Sequence, residues 1–175
     1  MRPTAPSPFS WPARVCPRAN RGQGLCSRLL RVLVVVIAFP AAAEDEVTFS
    51  RDTLDVVTTD NRSWAFQVAL AVTPTQRSRG LMFRETMADD EGMLFLYVRE
   101  APRSFWMKNT FLPLDIIFLD RHGIIVSIAA DARPLDETTI HSGAPAAGVL
   151  EVLAGTSRRL GLEPGDRVIH RAFDP

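Results

Sequence analysis

Trp64 to Val72 reads WAFQVALAV, with Trp64, Phe66, Val68, Leu70 and Val72 alternating against Ala65, Gln67, Ala69 and Ala71. Successive side chains of a strand point to opposite faces, so nine residues of period two specify a strand with one well-buried face. The stretch is punctuated at both ends. Before it, Asp60-Asn61-Arg62 is a turn signal. After it, Thr73-Pro74-Thr75-Gln76 opens a helix. Thr73 can cap the first free amides, Pro74 takes the first helical position where its missing N–H costs nothing, and Gln76 can bond back to the cap. The helix is short and stops near Gly80 to Met82.

Further along, Gly92 to Val98 (GMLFLYV) predicts a buried strand and Ser104 to Lys108 another, and Asn109 to Pro113 turns the chain. Leu114 to Leu119 and Ile124 to Ala129 are strands joined by Asp120-Arg121-His122-Gly123, a hairpin loop with glycine where positive φ is needed. Val149 to Leu153 is a further strand and Thr156 to Leu160 a helical turn ended by Gly161. Pro164-Gly165 is a type II turn into Arg167 to His170. Glu44 to Leu54 reads as a lead-in with a short strand around Val47 to Phe49. Together these elements predict a compact β-rich α+β domain, mostly antiparallel, forming a small, partly open β-barrel with two short helices. A βαβ fold is disfavoured, because helical segments of roughly 10–15 residues between strands are missing.

The N-terminal segment has another character. Met1 to Ala43 holds six arginines and no acidic residue, and the apolar run Val32 to Phe39 is followed by Pro40-Ala41-Ala42-Ala43 and the acidic Glu44-Asp45-Glu46. Basic start, short apolar stretch and small residues before a polar junction predict a cleavable signal peptide over 1–43. The 12 residues from Val32 to Ala43 fall short of the roughly 20 a bilayer-spanning helix needs. An uncleaved anchor is the alternative. The expected organisation is therefore a signal peptide (1–43), a lead-in (44–60) and one domain (61–175), with a periplasmic or secreted location and no stable membrane span after cleavage.

Dividing the chain at Ala43 changes its charge. Residues 44–175 keep 14 of the 20 basic residues and all 20 acidic ones, a net charge of −6. Such a surface offers no electrostatic footprint for nucleic acid. Cys16 and Cys26 both precede Ala43, so the remaining chain has no thiol, disulfide or cysteine metal site.

Four stretches stand out beyond their patterning: Arg79 to Arg84 (RGLMFR), Glu91 to Phe95 (EGMLF), Phe105 to Phe118 (FWMKNTFLPLDIIF), and Val149 to Gly155 (VLEVLAG) followed by Pro164 to Val168. Read together they resemble the prokaryotic domain-of-unknown-function family number 192, whose members are often exported. The resemblance covers about Phe66 to Val168. It implies a compact β-rich domain and no particular activity, and His141 stands where it implies an aromatic residue.

The candidate site residues come from these stretches. Lys108 is the only lysine beside 19 arginines, and after Trp106 and Met107 it can pin an anion or pair with Asp115 or Glu151. In a strand, Trp106, Lys108 and Thr110 would share one face. Asn109 and Thr110 are loop formers that can also present amide and hydroxyl groups. Arg79 and Arg84 flank a helix end and can bind a carboxylate or phosphate, or complement the helix terminus. Asp115 and Glu151 are acids within apolar strands, either hydrogen-bonded structurally or available as acid/base groups. Met82, Met87, Met93 and Met107 could suit copper(I), yet methionine is a common core filler. His122, His141 and His170 lack metal-ligand spacing. No metal or cofactor is expected, and no phosphate loop, dinucleotide glycine pattern or serine elbow occurs.

Three functions fit these residues. The first is a non-enzymatic envelope module whose groove, rimmed by Arg79, Arg84, Trp106, Lys108, Asn109 and Asp115, holds a small anionic or glycan ligand or a partner protein. The second is an envelope hydrolase or lyase using Lys108 with Asp115 or Glu151. The third is a purely structural domain.

Overall fold

The computed structural model describes residues 47–173. The signal-peptide reading of 1–43 lies outside the described residues. Seven strands, β1 (Ser50–Val57), β2 (Ser63–Ala71), β3 (Glu91–Phe105), β4 (Leu114–Leu119), β5 (Ile125–Ala132), β6 (Ile140–Leu153) and β7 (Arg167–Ile169), form one sheet. Their order is β5-β4-β6-β3-β2-β1-β7. Two short helices, α1 (Pro74–Arg79) and α2 (Thr156–Leu160), complete the fold. No helix among the described residues is long and apolar enough to cross a membrane.

The sheet curls until its two edges meet. Ile124 bridges Arg167, the Ile125 amide donates to Asp166 O (2.8 Å), and the Val168 amide donates to Gly123 O (2.7 Å). Gly123 sits at φ 76°, and a Cβ there would lie 2.3 Å from Val168 O, so this seam needs glycine. The seam covers only the start of β5, which leaves a partly open barrel. The β-rich, mostly antiparallel prediction holds, with one amendment. β2 and β3 pair in parallel, joined by a crossover containing only the six-residue α1. The capping box read from Thr73 and Gln76 is present in full, and it lets so short a helix reverse the chain's path.

Three strands differ from their sequence reading. The lead-in carries an eight-residue strand, β1, rather than a short strand at 47–49, and buries Leu54 and Val56. The strand expected at Ser104 to Lys108 is the end of a continuous β3, whose pairing with β6 shifts register between Leu96 and Ala101 and again between Pro102 and Ser104. The Val149 to Leu153 strand begins at Ile140. Gly143, Pro145 and Gly148 hide that extension in the sequence, because each lowers strand propensity.

Both faces of the sheet are covered. One apolar cluster draws on all seven strands, with Leu54, Phe66, Leu94, Ile117, Ile125, Leu150 and Val168, and fills the concave side. A second cluster combines Met93, Phe95, Ile116, Phe118 and Val149 with Leu81, Met107 and Leu112. The last three belong to loops 80–90 and 106–113, which lie over the outer face. These loops build the site.

Candidate functional site

Beyond Gly80, which caps α1, Leu81 plugs into the outer cluster and holds loop 79–84 against the sheet. Its neighbour, the loop after β3, is stitched to it and to loop 133–139 by backbone bonds. The Phe83 amide donates to Asn109 O (2.8 Å), the Met107 amide to Asp136 O (2.8 Å) and the Leu135 amide to Thr110 O (3.1 Å). Phe83, Asn109 and Leu135 all have left-handed backbones, with φ of 65°, 53° and 62°. For residues with a bulky side chain that conformation costs about 1–3 kcal/mol each. Backbone strain of this kind persists only where surrounding bonds enforce it, and here each strained residue contributes to a stitch.

Between these loops lies a cleft of about 210 Å³. Glu151, on the central strand β6, reaches it from the sheet between its register partners Met93 and Ile116. It is 5% exposed, and no protein group among the described residues bonds to its carboxyl. Burial pushes its pKa up to about 8, so at neutral pH it is mostly an uncharged acid able to donate a hydrogen bond. Tyr97 also lines the cleft, with the guanidinium groups of Arg77 and Arg103 at 4.9 Å and 3.7 Å from its ring centre. Burial raises the phenol pKa, the two arginines oppose that rise, and Glu151 adds to it. Arg77, Arg79, Ser104, Trp106 and Thr110 also line the cleft, together with the apolar Leu81, Met82, Phe95 and Phe105. Ser104 Oγ is 3.1 Å from His141 Nδ1, its partner across the β3–β6 pair.

The structure thus gathers four of the predicted residues, Arg79, Trp106, Thr110 and Glu151, at one cleft. The other four lie elsewhere. Arg84 lines a larger hollow of about 640 Å³ on the opposite side of loop 79–84, and it is ion-paired with Glu91. Asn109 serves as a stitch through its carbonyl. Lys108 is half-exposed, 3.8 Å from Glu137 and 5.2 Å from the Trp106 ring centre. It pairs with neither Asp115 nor Glu151.

Asp115 is the clearest correction. It is fully buried, and it pairs in register with Val152, one position from Glu151. It therefore faces the concave side while Glu151 faces the cleft. Its Oδ1 accepts from the amides of Asp131 (2.9 Å) and Gly155 (3.2 Å), and its Oδ2 from that of Ser157 (2.8 Å). The N-cap of α2 is Gly155, which has no side chain to offer, so Asp115 caps α2 from a neighbouring strand. It is a structural carboxylate, not part of a groove rim, and it shares no site with Glu151. The reading of Trp106, Lys108 and Thr110 as one face of a strand also fails. β3 ends at Phe105, and in the loop Trp106 is 49% exposed while Thr110 is buried.

Arg77, Tyr97 and Ser104 are not among the candidate site residues read from the sequence. Ser104 reaches the site through strand register and Arg77 through the turn of a helix. Tyr97 carried one usable signal, being the only tyrosine in the chain, within the apolar run Gly92 to Val98.

A seven-stranded, partly open barrel with a small cleft under stitched loops defines the class. Residues 56–170 match the family DUF192, an "Uncharacterized ACR", and the chain belongs to that family. A crystal structure from Sinorhizobium meliloti 1021, described as a proposed transcription regulator, is 44% identical, with a TM-score of 0.71 over 73% of this chain and 98% of the other. A protein of unknown function from Novosphingobium aromaticivorans DSM 12444 is 37% identical, with a TM-score of 0.67 over 75% of this chain and 90% of the other. No curated protein matches the chain.

Proposed function

We propose that the protein is an exported, non-enzymatic binding module whose cleft holds a small anionic ligand. One observation carries this reading: the acid at the cleft floor, Glu151, is buried and neutral at physiological pH, while Arg77 and Arg79 line the same space. The charges that remain at the cleft are therefore positive, on a chain whose residues 44–175 sum to −6. A protonated carboxyl and a guanidinium are both donors, and an anion accepts from both. A neutral glycan would gain the hydrogen bonds but not the charge.

Titration calorimetry of the purified protein against acetate, phosphate and neutral hexoses tests the reading. Anions should bind, and Arg79→Ala should weaken them about tenfold or more, as loss of a charge-assisted hydrogen bond does. Hexose binding without anion binding overturns it. Export is tested by fractionation and N-terminal sequencing, with Glu44 expected as the first residue.

The regulator description of the Sinorhizobium protein is not carried over as a DNA-binding role. The two helices of the described residues have six and five residues, too short to serve as a major-groove recognition helix, and the acidic net charge opposes phosphate contact.

A further inference from the structure

The cleft is small. At about 210 Å³ it has room for roughly seven waters at ~30 Å³ each, well below the volume of a drug-sized pocket. A ligand that fills it can place little more than one polar group inside. The rest of any larger ligand must lie across the mouth, and the character of that mouth is unusual.

Trp106, which lines the cleft, is 49% exposed, and three more large apolar side chains on the stitched loops are open beside it: Phe83, towards the larger hollow, Phe111 and Leu135, each between 43% and 57% exposed. They come from the three stitched loops. Phe83 meets Phe111 edge to face at 6.1 Å. Leu135 is tied to the loop through Thr110, which itself lines the cleft. Single exposed apolar residues need no explanation, but four on mutually stitched loops, beside a cleft that Leu81, Met82, Phe95 and Phe105 also line, mark a contact surface. Two of its members, Phe83 and Leu135, hold left-handed backbones at φ 65° and 62°. Glycine or asparagine is the easy choice at such positions. Keeping a phenylalanine and a leucine there, both turned to solvent, is unfavourable for the isolated fold and is explained by what they contact. Cations are interleaved with the rings: Arg79 lies 4.6 Å from the Phe83 ring centre and Lys108 5.2 Å from that of Trp106.

We propose that the ligand is an amphipathic anion, with one carboxylate-type group seated against Glu151 and Arg79 and an alkyl or aryl body lying over Trp106, Phe83, Phe111 and Leu135. This rests on the anion-binding reading and narrows it. A polar anion such as a sugar acid would leave the apolar mouth wet, and an uncharged lipid would leave the Glu151 and Arg79 donors unmet. A cationic amphiphile would meet Arg79 and Lys108 at the rim.

The test is a homologous series from acetate to octanoate, with 3-phenylpropionate and the polar anion glucuronate, each titrated into the purified protein by NMR chemical shift. Affinity should rise about fourfold for each methylene that the mouth covers, and 3-phenylpropionate should exceed glucuronate by tenfold or more. Phe111→Ala, outside the cleft lining, should flatten that rise and leave acetate binding unchanged. Leu135→Gly should do the same while keeping the fold, since glycine is at ease at φ 62° and the leucine side chain is exposed. If affinity is flat along the series and glucuronate matches 3-phenylpropionate, the amphipathic inference is overturned while the anion reading stands. If no member binds, acetate and glucuronate included, both fall.

Discussion

Asp115 and Glu151 lie on neighbouring strands, one position apart in register, and both are buried acids in apolar sequence. Their environments are opposite. Asp115 faces the concave side and accepts three backbone amides. Glu151 faces the cleft and has no partner among the described residues. Three backbone donors satisfy the buried oxygens of Asp115, whereas the buried Glu151 carboxyl, with none, keeps its proton. Nothing in the local sequence separates LDI from LEV. The difference arises from which face each strand turns to the helix α2 and which to the loops.

The sharpest way to break this contrast is to remove the bonded acid. Asp115→Ala leaves three amides without an acceptor and the start of α2 uncapped, and should cost about 4 kcal/mol in urea denaturation. A cost under about 1 kcal/mol would show that the amides find water and that Asp115 is not the hub described.

Glu151→Gln comes next. The folded-state pKa of Glu151 is raised from 4.5 to about 8, so the folded chain keeps a proton that the unfolded chain releases above pH 4.5. Stability from this group is therefore fullest below about pH 4.5 and falls as the pH rises through about 8, by an amount on the order of 4 kcal/mol. Glutamine does not titrate, so this slope should vanish in the variant. Thermal melts at pH 5 and pH 8 decide it, and equal slopes in both proteins would place a hidden donor on Glu151.

At the rim, effects on stability should shrink. Trp106→Ala removes a half-exposed side chain and should shift stability by about 1 kcal/mol or less. Lys108→Ala breaks a long surface ion pair with Glu137 and should change stability by no more than about 0.5 kcal/mol. A larger loss in either would move that residue from the site to the scaffold.

How much of this was legible in the sequence follows the range of the interactions. Local signals were readable. The Thr73–Gln76 capping box, the Asp120–Gly123 hairpin loop and the stop at Gly161 are set by residues within four positions of each other. β2 was readable because its alternation is unbroken. β6 was only half visible, since pairing with β3 overrides Gly143 and Pro145. The parallel β2–β3 pairing was missed because six helical residues give no sign of a crossover. In the site, Arg79, Trp106, Thr110 and Glu151 were found through motif density. The role of Asp115 was not, because its three donors come from residues 16, 40 and 42 positions away. Lys108 was overweighted for its rarity, which carries no information about where a loop turns.

The pairing of the first strand with the last sets a condition on how the chain can be made. Val56 lies opposite Val168, and Val168 and Phe173 are both buried in the concave core. The seam through Gly123 also needs residues 165–168. A nascent chain lacking its last dozen residues has therefore no partner for the outer edge of β1 and no plug for the barrel, however much of the sheet has been synthesised. Such long-range closure slows folding and delays it until the chain is complete. Under the export we propose, such late closure would keep the chain threadable until residues 165–173 arrive to lock it.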